Sequence, residues 1–552
     1  MAEVTRSSAS SGGAHRISML ESTEARRPSP HAGWKPRHSP WAIALTVTMA
    51  TFMEVLDTSI ANVAVPNIAG GLSASVDEAT WILTAYLVAN GIVLPLSAWI
   101  TTRVGRKRFY MTCVAVFTAS SFLCGVAPSL TALICLRVVQ GAAGGGLQPS
   151  EQAILADTFP PEQFGMAFAI YGMAVVLAPA IGPTLGGFVT DNFSWRWIFF
   201  INVPVGVASL LFSHRIVEDP PYMTAASRKA ARKLGVDYIG LGLIALGLGS
   251  LQVVLDKGQE DDWLKSHFIA ILATIAAVAL IMFVLWECRQ KNPVVELKLF
   301  QGRTFATTTL MMFVLGVMLY GSTVLLPLFV QVLMGYTAEL AGMVLSPGGF
   351  AIIAMLPLVG ALSSRVQARW LVAVGFLISA LALFHLAGLN LNIDFRTAMM
   401  YRIYQSIGLA FLFIPINTAA FTSATGENSN QISSIVNLAR NVGGSVGISL
   451  VTTLTTRRAQ IHQQALVRHV TNYDEALRDT LSGLSSQLAH NGYSRPDATH
   501  HSLAWVYAMV QQQASVQAYI DAFWLLGVAC LCMLPLVLLM KKNDPHQAVM
   551  AH

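Results

Sequence analysis

Two carboxylates stand in a segment that is otherwise apolar enough to cross a membrane. The stretch MEVLDTSIANVAVP, Met53 to Pro66, closes a run that begins near Trp41 and carries Glu54 and Asp57. An ionised acid at the centre of a span costs about 2.5 to 3.5 kcal/mol on insertion scales, so such a group faces a cavity or a partner and commonly serves a proton or ion path. A carboxylate moved between an apolar site and a nearby cation changes its proton affinity, which is the chemistry of proton uptake and release. Asp57 is the stronger candidate for that role. Its alternative is a helix-breaking or capping acid near the outer end, helped by Thr58 and Ser59. Glu54 lies three positions back and so on nearly the same helix face. It is either a second proton site, a charge that recognises cations, or a satisfied polar group in a wet vestibule.

Arg137, in the fourth apolar segment, is the candidate counter-ion. With odd segments rising outward and even ones descending, Asp57 stands nine residues from Pro66 and Arg137 seven from Leu130. Both then lie roughly 10 to 14 Å below the outer end at 1.5 Å per residue. The alternative for Arg137 is a set of bonds to backbone carbonyls that fixes packing. Arg402, in a later segment of similar sequence, has no intramembrane acid opposite it, and a structural role is favoured there. Glu151 and Asp157 fall near the inner end of the fourth segment. Glu151 is a candidate for lining an inward-facing substrate cavity, although an interfacial charge is the preferred reading.

Composition sets the elements that hold these residues. Of 552 residues, 54% are hydrophobic and 12% charged, with a mean hydropathy of +0.56. A water-soluble fold of this size cannot hide so much apolar surface, so the solvent is a bilayer and the chain an all-α polytopic membrane protein. A span needs about 20 apolar residues. Fourteen candidates begin near Trp41, Thr80, Arg108, Leu130, Phe164, Arg196, Val236, His267, Thr304, Ala338, Ala368, Arg396, Ser433 and Ile520. The six cysteines sit in or beside these segments without metal-ligand spacing, so they read as small packing residues, and no metal or cofactor is expected.

The formal charge of +6 does not point to nucleic acid, because the basic residues gather in short loops between apolar runs. Arg103, Arg106, Lys107 and Arg108 form one such loop; Arg215, Arg228, Lys229, Arg232 and Lys233 another; Arg289, Lys291, Lys298 and Arg303 a third. The intervening loops are nearly free of them. Both termini are therefore expected on the cytoplasmic side. Residues 1–40, rich in Ser, Pro and Arg, read as a disordered cytoplasmic tail, and 542–552 as a second tail.

Internal similarity divides the chain. AWITTRVGRK follows the second segment and GALSSRVQAR the tenth; RVVQGAAGGGLQP opens at Arg137 and RIYQSIGLAFLFIP at Arg402. Arg103 to Arg137 is 34 residues and Arg365 to Arg402 is 37. Matching order and spacing indicate two six-helix halves, 41–214 and 304–541, with two additional helices between them in 215–303. The second half includes a long extracytoplasmic insert, 457–519, whose apolar residues recur at helical spacing.

Five stretches carry a resemblance to a known family. LDTSIANVAVP is similar to the first-span signature of the 14-span drug:proton antiporters of the EmrB/QacA type, within the major facilitator superfamily. TTRVGRKR resembles that group's second-to-third loop motif, LRVVQGAAGG its fourth-span arginine motif, APAIGPTLGG its fifth-span antiporter motif, and WRWIFFINVPVG the segment that follows. The resemblance runs from about Trp41 to Lys542. In the loop motif Thr102 stands where an aspartate is usual, so any gating scheme built on that acid has no acid here.

The resemblance implies a major facilitator fold of two six-helix bundles plus two central helices, in a bacterial inner membrane. It implies proton-driven export of small-molecule drugs that are hydrophobic and often cationic. Conformational gating would fall to Arg103, Gly105 and Arg106 in the loop; alternatively Arg103, Arg106, Lys107 and Arg108 act only as topology determinants. It would also fall to Pro179, Gly182, Pro183, Gly186 and Gly187 in the fifth span. There the prolines remove backbone donors, while Gly182 and Gly186 have the spacing of close helix contacts, as do Gly443 and Gly447. Implied partners are a periplasmic adaptor, a membrane fusion protein of the EmrA kind, meeting the insert, and an outer-membrane channel of the TolC kind.

Other functions fit less well. GAAGGG has no following Lys-Ser/Thr pair and is no phosphate loop. An intramembrane enzyme needs a nucleophile with a base, or paired aspartates from different helices, and no such constellation is evident: Glu54 and Asp57 share one segment, and most histidines lie in tails and the insert. A lipid or metabolite exporter of the same superfamily is the nearer alternative.

Overall fold

The computed structural model describes residues 36–220, 237–290, 293–422, 428–468, 470–471 and 474–540. Most of the expected N-terminal tail, the C-terminal tail, and Arg228, Lys229, Arg232, Lys233 and Lys291 lie outside the described residues. The first six long helices are α1 (Pro40–Gly71), α2 (Trp81–Val104), α3 (Arg106–Gly125), α4 (Leu130–Gly144, resuming as Leu147–Thr158), α5 (Phe164–Asn192) and α6 (Asn202–Ile216). Then come α7 (Tyr238–Lys257) and α8 (His267–Glu287). The second set is α9 (Arg303–Leu328), α10 (Ala338–Ser363), α11 (Ala368–Leu386), α12 (Phe395–Phe421), α13 (Ser429–Val467), α14 (Glu475–His490) and α15 (Arg495–Val537).

Short polar side chains set many of the starts. Ser129, Asp237, Thr337, Asp394, Asp474 and Ser494 each accept a backbone N–H from the first turn of α4, α7, α10, α12, α14 and α15, satisfying donors that a helix leaves open. At Asp394, outside the apolar part of α12, the hydroxyl and amide of Thr397 hold the carboxyl below its ordinary range. One residue separates α2 from α3. Gly105 has φ +100°, which a side chain would oppose, and it turns the chain there.

Among the described residues twelve helices are long and apolar enough to cross a membrane, and α5, bent by 42° about Ala180, makes a thirteenth. The remaining expected span corresponds to α13. Its hydropathy is diluted by buried Asn430, Asn437 and Arg440, yet it is 39 residues long and packs on α2, α9 and α15. Two helices extend past the expected spans: α13 runs on to Val467, and the last helix begins at Arg495, ahead of the span expected from near Ile520, so most of the 457–519 insert is helix. Within it α14 lays Leu477, Leu481, Leu484 and Leu488 at helical spacing and packs on α15.

α1 to α6 form one bundle and α9 to α13 with α15 a second. The bundles meet along two seams, α5 on α10 and α2 on α13. Although α7 and α8 separate the halves in sequence, in space they do not: they pack on each other, and α7 lies along the α2–α13 seam. Gln252 of α7 donates to Ser445 at 2.8 Å, and Trp263 beyond it donates to Thr453 at 3.2 Å.

Glycines permit the closest helix approaches. A Cβ on Gly443 would fall 2.1 Å from the carbonyl oxygen of Phe313, and one on Gly316 2.2 Å from that of Arg440. Gly443→Val should therefore force α9 and α13 apart, at about 1 to 3 kcal/mol or more, and lower the unfolding midpoint of the purified protein. Gly91→Ala, whose Cβ meets nothing within 4 Å, should leave the same midpoint unchanged or slightly raised. Equal midpoints for the two variants would remove the packing role given to Gly443.

Candidate functional site

The two acids of α1 lie in different chemical surroundings. Asp57, 2% exposed, accepts from Arg137 Nη1 at 2.5 Å through Oδ2. Its Oδ1 accepts from Gln140 Nε2 at 3.0 Å and from Asn202 Nδ2 at 2.7 Å. The depth match read from the sequence thus brings α1 and α4 together at this ion pair. Arg137 is fully buried, donates from Nε to the Ile82 carbonyl at 3.2 Å, and stacks its guanidinium 4.2 Å from the Tyr86 ring centre. The backbone bond expected as an alternative therefore coexists with the carboxylate pair.

Glu54 is 4% exposed and has neutral donors only: Tyr86 Oη at 3.3 Å, Asn90 Nδ2 at 3.2 Å and Gln148 Nε2 at 2.5 Å. No ion pair to Glu54 occurs among the described residues. Gln148 turns its Oε1 the other way, accepting from Arg440 Nη2 and from Tyr171 Oη, the latter at 3.3 Å. Arg440 stands on α13, in the second bundle, so one glutamine amide connects the α1 carboxylate to the opposite bundle. Around it Asn437 Nδ2 and Ser433 Oγ donate to Gln152 Oε1 at 2.7 and 2.9 Å, and Asn441 Nδ2 donates to Asn90 Oδ1 at 3.5 Å.

Glu151 is enclosed by protein. α4 breaks at Gly145 and Gly146 and restarts at Leu147; the second stretch packs against α1, and Glu151 becomes fully buried, accepting from Thr48 Oγ1 at 2.7 Å and from Thr51 Oγ1. Asp157, farther along, pairs with Arg106 of the loop motif. Arg106 also donates to the Ala153 carbonyl at 3.1 Å and to Asn430 Oδ1 of α13 at 3.1 Å, tying the two bundles together at that end. Arg103 instead lies over the Trp99 ring at 4.3 Å, and Thr102 is exposed.

In α5, Gly182 and Gly186 pack against α1: a Cβ would meet Ser59 Oγ at 2.3 Å and Ile60 at 3.2 Å, whereas Gly187 has nothing within 4 Å. Pro179 and Pro183 flank the bend at Ala180. Arg402 donates to Gln405, Ser322 and Thr323, with no carboxylate beside it among the described residues. Arg440, Gln148 and Asn202 were not singled out from the sequence. An arginine flanked by Asn437 and Asn441 inside a span was the available signal for the first of these.

Residues 47–448 match the Major Facilitator Superfamily model. The Multidrug export protein EmrB of Haemophilus influenzae is 36% identical over 89% of this chain and 94% of its own length. The protein of the same name from Escherichia coli K12 is 34% identical over 91% and 96%. Fatty acid resistance protein FarB of Neisseria gonorrhoeae is 34% identical over 90% and 96%. Among solved structures, the proton:xylose symporter XylE superposes with a TM-score of 0.57 at 13% identity, covering 92% of this chain and 97% of that one, a likeness of fold.

The Asp57–Arg137 pair gives a stability prediction. Removing one partner of a buried pair costs about 3 to 5 kcal/mol because the other charge is left unanswered. Asp57→Asn and Arg137→Gln should each lower the unfolding midpoint markedly, and the double variant by clearly less than their sum. Strict additivity in that cycle would mean the two side chains do not interact.

Proposed function

The chain belongs to the major facilitator superfamily and is a transporter; we propose that it is a proton-driven exporter of hydrophobic or cationic compounds, working by alternating access in a bacterial inner membrane. The observation that carries the proposal is the contrast within α1. Asp57 has a cation, and Glu54, three positions away and equally buried, has none. A lone carboxylate in such surroundings needs a positive charge, and a proton or a cationic group of the cargo supplies it. The names of the Haemophilus and Escherichia relatives support drug export as the activity.

In this scheme Asp57 is the proton carrier and Arg137 its counter-ion in the unprotonated state. Protonation of Asp57 dissolves the charge pair and frees α4 from α1. Glu54 reports to the opposite bundle through Gln148 and Arg440, so its charge balance sets how firmly the bundles close. Glu151, held by Thr48 and Thr51 of the same helix as Glu54, contributes a second acid without a cation among the described residues. Arg106, bonded to Asp157 and Asn430, and Arg103 with Gly105 latch the end that we assign to the cytoplasm. Pro179, Gly182, Pro183, Gly186 and Gly187 let α5 bend against α1 as the latch opens. Export of an amphipathic lipid or metabolite is a second reading, favoured by the name of the Neisseria relative.

Transport into inside-out vesicles with an acidic lumen tests the scheme. Wild-type protein should concentrate a cationic dye as long as the gradient lasts, and Asp57→Asn should fall to the background of empty vesicles. Undiminished gradient-driven uptake by Asp57→Asn would end the role given to that residue. Fatty acid transport without dye transport would select the second reading.

The helices beyond the membrane suggest the partners. α13 and α15 are tied there by His462 and Asp521 at 2.8 Å, and Trp505, Tyr507 and Met509 are about half exposed on α15. We assign this surface to a periplasmic adaptor of the EmrA kind that leads to an outer-membrane channel of the TolC kind. Deleting residues 460–515 should abolish co-purification with a coexpressed adaptor while leaving the bundles folded. Retained association after the deletion would place the contact elsewhere.

A further inference from the structure

The second bundle repeats the arginine of the first without its acid. Arg402 is followed three residues later by Gln405, as Arg137 is by Gln140, and each Nη1 donates to that glutamine, at 2.7 and 2.9 Å. Each arginine also reaches a residue 80 positions upstream, on the first helix of its own bundle. For Arg137 that residue is Asp57 at 2.5 Å; for Arg402 it is Ser322 at 3.5 Å. A hydroxyl thus occupies the place of the carboxylate, and Thr323 accepts Nη2 at 3.0 Å.

Arg402 is 7% exposed, and its Nε has no acceptor. One turn farther along α12, the fully buried Ser406 Oγ also lacks a partner. Both residues line a cavity of about 30 Å³ bounded by α5, α9, α10 and α12, whose other walls include Val176, Leu319, Leu345 and Ile352. Arg106 and Arg137 have the carboxylates of Asp157 and Asp57, and Arg440 has Gln148 and Tyr171; Arg137 Nη2 and Arg440 Nε also lack an acceptor, but neither residue lines this cavity. A buried guanidinium that has no opposite charge and borders open space is an incomplete site, since desolvation of the cation is offset only when an opposite charge approaches. The space is about that of one water molecule and is not fully enclosed, which suits a halide or a carboxylate head whose tail lies outside it.

We propose that the Arg402 cavity binds one compact negative charge, either the carboxylate head of a small organic acid or a free halide, with Arg402 Nε and the Ser406 hydroxyl as donors. The site requires only the transporter fold and is independent of the proton-coupled scheme above.

The test uses the full-length protein in lipid nanodiscs, in a buffer whose only anion is the bulky sulfonate HEPES. Sodium chloride and sodium butyrate are titrated separately at matched ionic strength while the unfolding midpoint is followed. A saturable rise of roughly 2 °C is expected with at least one of them. Response to chloride alone identifies a halide site; response to butyrate, competed by chloride, identifies a carboxylate site. Arg402→Gln should raise the half-saturating concentration roughly tenfold or more, and Arg402→Lys should fall between. No saturable response in wild type, or the same response in Arg402→Gln, overturns the proposal. If Arg402→Gln fails to fold, Ile352→Phe, which fills the cavity from its apolar wall, decides: an unchanged titration in that variant overturns the proposal equally.

Discussion

A charged side chain carried into hydrocarbon must find its counter-charge and hydrogen bonds within the protein, because no water is present to supply them. Much of the arrangement of these helices follows from that condition. Arg137 draws α4 onto α1 through Asp57, and Arg106 joins the start of α3 to the end of α4 through Asp157. Arg440 brings α13 of the second bundle against α4 of the first, where Gln148 and Tyr171 receive it. The apolar surface of each helix holds the bundles in the bilayer but is poor at choosing between neighbours, since lipid tails are as apolar as a leucine side chain. Polar side chains and close glycine contacts supply the choice.

The sequence was most informative where a regular helix allowed depth to be counted. Asp57 and Arg137 were placed at one level by rise per residue alone, and the pair forms. Their neighbours could not be reached that way. The burial of Glu151 depends on α1, whose Thr48 and Thr51 enclose it, and counting along α4 does not show that neighbour. Asn202 and Gln148 are ordinary polar residues until tertiary packing aims them at a carboxylate. Arg440 was overlooked because α13 is the span whose polarity most weakens its apolar signal, and that polarity is itself the mark of a helix facing another bundle.

The duplicated halves differ in the same way. Order and spacing of the two arginine segments were legible, and the structure adds that both arginines reach 80 residues upstream to the first helix of their own half. At this position the halves differ by Asp57 against Ser322, so the arginine faces a charge in one half and a hydroxyl in the other. The position of α7 and α8 was not legible, because an insertion between halves is recorded in sequence as a separation, whereas in space it attaches beside the α2–α13 seam.

α13 has a mechanical consequence. It is one uninterrupted helix of 39 residues, with Arg440 at the junction of the bundles and its far end in the part we assign to the outside of the membrane. From Thr453, where Trp263 braces it, to Val467 is about 20 Å at 1.5 Å per residue, so a tilt of about 10° displaces the tip by roughly 4 Å. A rigid rod of this kind acts as a lever arm, converting a small rotation at the buried polar junction into a larger sweep of its far end.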